Sequence, residues 1–224
     1  MLPLMWRYKV SKGVFFAYFV VFVGMTAASA DCRNDKIPKL IDEYMRGSPE
    51  LQARPRSGKW IALDKVIDEH AVRAAYDCIS ETMLETYQRS KLDVPNIYRK
   101  WLRANEVSFY APANDFGWAN VFLNKKSEKY KINKYTSKFL PGSTIVKESF
   151  VFDISGNISV GPLFYMIKMG KGFNDSSNDW KFVEVNLDGT YAETLGINSD
   201  VTRRCIRCHG KRRETDFLFF IKNK

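Results

Sequence analysis

Cys205, Cys208 and His209 are the residues whose types and spacing say most about chemistry. They stand in the run Cys205-Ile206-Arg207-Cys208-His209, spaced C-x-x-C-H. This is the attachment pattern of c-type haem. Two thiols on one tight turn or helix start reach the two vinyl groups on one edge of a porphyrin. The next residue sets an imidazole beneath the iron as proximal ligand. Ligation needs the neutral ring, with its second nitrogen held by a carbonyl or a carboxylate. A zinc site built on the two thiols would need two more ligands, and His70 is the only other histidine. A thioredoxin-like C-x-x-C opens a helix within a βαβ pattern, which is absent here. The expected cofactor is one covalently attached haem c, bound through Cys205, Cys208 and His209, with His209 as the metal ligand.

The sixth iron position is expected to be open. The 15 residues after His209, GKRRETDFLFFIKNK, contain neither Met nor His. Small electron-transfer cytochromes usually take a distal Met from that side. Upstream, Met166 and Met169 lie in or near a β-like run, where methionine commonly fills core gaps. His70 is expected on the apolar face of a helix, partly buried. An open position binds small molecules, whereas a closed one only passes electrons.

The surrounding elements follow from periodicity and punctuation. The chain has 224 residues, 45% hydrophobic and 14% aromatic, which excludes a disordered chain. Arg7, Lys9 and Lys12 precede an apolar run from Val14 to Met25, and Ala28-Ser29-Ala30 offers a cleavage site. Residues 1–30 therefore read as a secretory signal peptide, and the expected location is the periplasm. Removing three basic residues and no acid lowers the formal charge from +10 to +7. No membrane association is expected after cleavage. Residues 31–94 read as a helical extension. Ile37, Leu40, Ile41 and Tyr44 have helical spacing, and a second helix is expected from about Ile61 to Arg89. Asp64, Asp68, Glu69, Glu81 and Glu85 interrupt any basic stripe, so nucleic acid is not an expected partner.

After Pro95 the period changes toward two. Val107 to Tyr110, Ala119 to Leu123, Ile145 to Phe152, Leu163 to Lys168 and Trp180 to Val185 read as strands. Turn residues such as Pro141-Gly142, Ser155-Gly156-Asn157 and Asp188-Gly189 separate them. The expected fold class is α+β: an antiparallel sheet of about five strands over residues 95–224, carrying the haem, behind the helical extension. A four-helix cytochrome bundle is disfavoured because residues 105–190 are β-like.

Several ordered blocks resemble the cytochrome P-460 and cytochrome c′-beta family. They are Tyr98-Arg99-Lys100-Trp101, then Val121-Phe122-Leu123-Asn124, then Phe139-Leu140-Pro141-Gly142-Ser143-Thr144-Ile145-Val146-Lys147-Glu148. Gly161 to Lys168 and Asn178-Asp179-Trp180 follow, and the C-x-x-C-H run with Asp216-Phe217-Leu218-Phe219 closes the pattern. The resemblance covers roughly Tyr98 to Phe220. It implies an antiparallel β-sheet haem domain with five-coordinate iron, often a homodimer. Members of the P-460 type oxidise hydroxylamine and carry an extra lysine-to-haem cross-link. Members of the c′-beta type bind nitric oxide or carbon monoxide in an apolar pocket. Lys147 falls on the position of the cross-linking lysine and is the candidate catalytic residue. The distal arginine of the hydroxylamine-oxidising members falls on or near Ala119, which leaves a more apolar pocket. Phe116, Trp118 and Phe122 are candidates for the distal wall, with core packing as the alternative.

Alternation puts Ile145, Lys147 and Ser149 on one strand face and Val146, Glu148 and Phe150 on the other. A lysine aimed at a haem edge in an apolar pocket would become a better nucleophile as its charged form is disfavoured. The other reading of Lys147 is an exposed lysine paired with a neighbouring acid. Cys32 and Cys78 remain after the haem pair. In an oxidising compartment they are expected to form a disulfide. Arg203, Arg204, Arg207, Lys211, Arg212 and Arg213 flank the motif. They suit haem propionates, an acidic redox partner protein or a solvated surface. The expected small-molecule partner is hydroxylamine or nitric oxide, and simple electron transfer is a third alternative.

Overall fold

A computed structural model describes residues 32–47, 66–111, 117–132, 138–193 and 200–219. The expected signal peptide, the first five residues of the expected second helix, and Phe116 lie outside them. Among the described residues, no helix is long and apolar enough to cross a membrane.

Among the described residues, three α-helices precede the sheet: α1 (Ile37–Arg46), α2 (Glu69–Gln88) and α3 (Asp93–Ile97). The start of α2 corrects the sequence expectation. Asp68 is extended and its carboxylate accepts a 2.7 Å bond from the Ala71 amide, so it caps the helix and fixes its first turn at Glu69. Val72, Ala75, Ile79, Met83 and Tyr87 form the buried stripe. His70 is exposed, contrary to expectation. At about 100° per residue it sits on the side opposite Val72 and Met83.

Among the described residues, eight strands form one antiparallel sheet. They are β1 (Leu102–Arg103), β2 (Phe109–Tyr110), β3 (Trp118–Leu123), β4 (Thr144–Phe152), β5 (Ile158–Val160), β6 (Leu163–Lys168), β7 (Trp180–Val185) and β8 (Tyr191–Glu193). The main order is β1-β3-β4-β6-β7-β8, with β2 also on β3 and β5 also on β4. The α+β class holds, with three more strands than expected. The additional strands β1, β5 and β8 are two or three residues long, too short to show a period.

Both faces of the sheet are covered. Trp118, Phe122, Val146, Phe150, Leu163, Tyr165, Val183 and Val185 join α1 and α2 in one apolar cluster. The helical extension thus shares its core with the sheet. Tyr87 of α2 reinforces this: its hydroxyl donates to the Gly161 carbonyl at 2.8 Å. The opposite face contributes Val121, Leu123, Ile145, Met166, Trp180 and Phe182 to a second cluster, with Phe217 and Leu218. A final helix, α4 (Asp200–His209), packs there through Cys205 and Ile206.

Cys32 and Cys78 form a disulfide, as expected. The segment before α1 is also stitched to the β4–β5 turn. The Ile158 amide donates to the Cys32 carbonyl at 2.8 Å, and the Asn34 amide to the Gly156 carbonyl at 2.9 Å. Gly156 has φ +84°, and a Cβ there would lie 2.3 Å from the Asn34 carbonyl oxygen, so only glycine permits this approach.

Candidate haem-attachment site

The C-x-x-C-H run forms the last five residues of α4. Helical geometry brings residues three apart to the same side, so the thiols of Cys205 and Cys208 lie one turn from each other. Both are unbridged and half-buried. Burial pushes the Cys205 thiol up to about 11, with Glu184 adding to the effect, so it is protonated at neutral pH. Arg203, Arg204 and Arg207 are exposed on the same helix. With Asp200 they line an open groove of about 620 Å³. Arg203 pairs with Asp200, and Arg204 reaches Glu184 at 3.4 Å.

His209 is held by the segment that follows it. Its Nδ1 lies 2.6 Å from the Phe217 carbonyl oxygen. A carbonyl only accepts, so Nδ1 carries the proton and donates, and Nε2 keeps its lone pair. That is the tautomer an Nε2 metal ligand requires. The ring sits between Phe182 and Phe219, with centroids 5.2 and 5.3 Å away. Burial lowers its pKa below the usual histidine value, and Lys147 acts in the same direction despite the opposing hydrogen bond. The ring is neutral at pH 7.

Lys147 belongs to the same side of the sheet. Register sets Val121, Lys147, Phe164 and Glu184 in one row across β3, β4, β6 and β7. The Lys147 ammonium lies 5.2 Å from the centre of the Phe164 ring. Burial lowers its pKa to about 8, against an opposing influence of Cys208 and Cys205. Lys147 is thus half-buried and electrostatically coupled to the motif; it is not a fully exposed strand lysine.

Glu148 turns to the helix side, as alternation predicts. It is fully buried, and the Tyr98 hydroxyl donates to its Oε2 at 2.5 Å. Arg99 pairs with the same oxygen at 2.9 Å, and Asn120 Nδ2 donates to Oε1 at 3.1 Å. This carboxylate holds the core and does not share the Lys147 site.

Other expected residues divide clearly. Trp118 and Phe122 pack in the helix-side cluster, so they do not form a distal wall beside Lys147. Ala119 is fully buried and lies on the Lys147 face by alternation. Met166 is a packed core residue, 5% exposed, paired in register with Ile145 and Phe182. Among the described residues, no three His, Cys, Asp or Glu side chains converge to hold a metal ion, so a zinc reading lacks a ligand set.

Sequence reasoning missed the residues that hold the histidine's partner. Asp216 is buried, with its Oδ1 2.7 Å from Lys168 Nζ and 2.5 Å from Asn178 Nδ2. Its Oδ2 accepts the Phe139 amide at 2.7 Å, and its carbonyl accepts Trp180 Nε1 at 2.9 Å. The closing Asp216-Phe217 of the family-like pattern was the available signal.

The chain's residues fit a covalent haem c in donor chemistry: two unbridged thiols one turn apart, a neutral imidazole with Nδ1 satisfied, and a largely apolar sheet face beside them. No protein-family model matches the chain, and no curated protein matches it.

Proposed function

We propose that this chain is an exported monohaem c-type cytochrome that binds or oxidises a small nitrogen species at an open distal position. The observation that carries this reading is the placement of Lys147 and the C-x-x-C-H helix on one side of the sheet, with the His209 Nδ1 held by Phe217. Bound haem would supply one-electron redox chemistry and an iron site for a small ligand. Cys205 and Cys208 would tether the macrocycle, and His209 would be the proximal ligand. The half-buried amine of Lys147, with its charged form disfavoured, is suited to a covalent bond to the haem edge. Oxidation of hydroxylamine to nitric oxide releases three electrons and three protons, so a redox partner protein must accept the electrons.

One observation favours a second reading. Lys147 is flanked in its row by Val121 and Phe164, and in the resembled family the distal arginine of the hydroxylamine-oxidising members falls on or near Ala119. Such an apolar surround suits capture of nitric oxide without turnover.

Expression with c-haem maturation tests the reading. Haem that stays with the chain after denaturation, and a high-spin resting spectrum, are expected. A red-shifted ferrous band together with hydroxylamine-dependent dye reduction would support the oxidase. Tight nitric oxide binding without dye reduction would support the second reading. A chain that takes up no covalent haem would sink both.

A further inference from the structure

We infer that Asp216, held by Lys168, is a positioning residue for the proximal histidine and sets the electron-donating strength of its imidazole. This inference rests on the haem reading above and deepens it. The carbonyl that receives the His209 Nδ1–H belongs to Phe217, the residue directly after Asp216. Both residues have positive φ, 55° at Asp216 and 68° at Phe217. Left-handed backbone is disfavoured for side chains with a Cβ, most of all for a bulky Phe, so the turn needs external restraint.

The restraint is visible atom by atom. The Asp216 carboxylate receives Lys168 from the end of β6, Asn178 from the turn before β7, and the Phe139 amide from the segment before β4. Trp180 of β7 donates to the Asp216 carbonyl, and the Phe217 amide returns to the Arg212 carbonyl at 2.7 Å. Lys168 also donates to the Asn178 carbonyl at 2.7 Å, which ties both partners of the carboxylate together. The side chains of Lys168 and Asp216 are 7% and 4% exposed. A buried pair of this kind is weak evidence for stability, because desolvation offsets much of the attraction, but it fixes geometry firmly. Here the geometry it fixes is the direction of one carbonyl.

That direction matters chemically. A carbonyl accepting from Nδ1–H pulls the proton toward itself and makes Nε2 more basic. A more basic ligand favours ferric over ferrous iron. Loosening the turn should therefore weaken the ligand and raise the midpoint potential.

The test uses the holoprotein. Asp216→Asn removes the charge that Lys168 needs, and Lys168→Gln is a milder change should the first fail to fold. Leu123→Ala, at a fully buried residue of the same apolar cluster, is the packing control. Resonance Raman of the ferrous protein reads the iron–histidine stretch directly, alongside the midpoint potential and thermal unfolding. Expected is a lower stretching frequency and a more positive potential in the Asp216 or Lys168 variant, with neither change in the control. If all variants lower the melting temperature alike and leave frequency and potential unmoved, Asp216 is only structural and the inference is overturned. A wild-type chain without covalent haem would instead overturn the parent reading, and the inference with it.

Discussion

Lys147 and Glu148 are consecutive residues of β4 that serve opposite sides of one sheet. Lys147 faces the C-x-x-C-H helix, while Glu148 is clasped by Tyr98, Arg99 and Asn120 beneath the helical extension. A period of two makes this unavoidable in a regular strand. It also separates two jobs, since the acid that organises the core is out of reach of the amine beside the motif.

The first prediction concerns Glu148. Replacing it by Gln takes from the Arg99 guanidinium, 18% exposed, its 2.9 Å carboxylate and leaves it the exposed Glu81 carboxylate at 4.0 Å. Breaking a buried pair from one side costs about 3 kcal/mol. Urea unfolding should show a clearly lower midpoint, while the haem spectrum of the folded variant stays as in the wild type. A spectral change would mean that Glu148 reaches the haem side after all.

Lys147 gives a pH prediction for the chain before haem attachment. Its folded pKa is lowered to about 8, below the ordinary lysine value, by burial. Between those two values the unfolded chain holds the proton and the folded chain does not. Stability therefore rises with pH across that window through this group, and below about 8 the full penalty is present. Lys147→Met should stabilise the haem-free chain by roughly 1–3 kcal/mol at pH 7 and flatten its stability profile between about pH 8 and 10.5. An unchanged profile would place the amine in water.

Much of this site was legible in the sequence, for identifiable reasons. The C-x-x-C-H pattern is defined by order and spacing alone, so Cys205, Cys208 and His209 stand out without any knowledge of the fold. Alternation along β4 is enough to put Lys147 and Glu148 on opposite faces. Two thiols left outside the C-x-x-C-H run, in a chain expected to be exported, pointed to the Cys32–Cys78 bridge. What stayed hidden depends on tertiary placement. Asp216 and Lys168 are 48 residues apart and meet only because the chain after α4 folds back on β6. Trp118 and Phe122 were candidates for the haem side, but even positions of β3 face the helices. His70 was assigned to the wrong side of α2 because two residues before Val72 is about 200° around a helix.

The disulfide makes a separate stability prediction. Cys32 and Cys78 close a loop with a sequence separation of 46. In the chain-entropy model such a link contributes on the order of 4 kcal/mol by restricting the unfolded chain. Cys32→Ala with Cys78→Ala should lower the urea midpoint substantially, with α2 still packed on the sheet through Ile79, Met83 and Tyr87. Reduction of the wild type should have the same effect. If the double variant unfolds at the wild-type midpoint, the loop is already restrained in the denatured state.

The histidine itself offers the sharpest separation of attachment from ligation. On the haem reading, the thioether bonds would involve only Cys205 and Cys208, and His209 would supply the iron ligand from the next residue. His209→Gly should therefore keep covalent haem, seen as haem staining that survives denaturation, while the axial bond is lost. The gap left between Phe182 and Phe219, whose centroids stand 5.2 and 5.3 Å from the ring, is apolar and sized for imidazole. Added imidazole should enter it and restore a five-coordinate histidine-like spectrum, because the Phe217 carbonyl remains there to receive its N–H. Rescue in His209→Gly with no rescue by imidazole in Cys205→Ala would assign the two functions to different residues. A His209→Gly spectrum identical to the wild type would show that another residue ligates the iron, and the proximal assignment would fall.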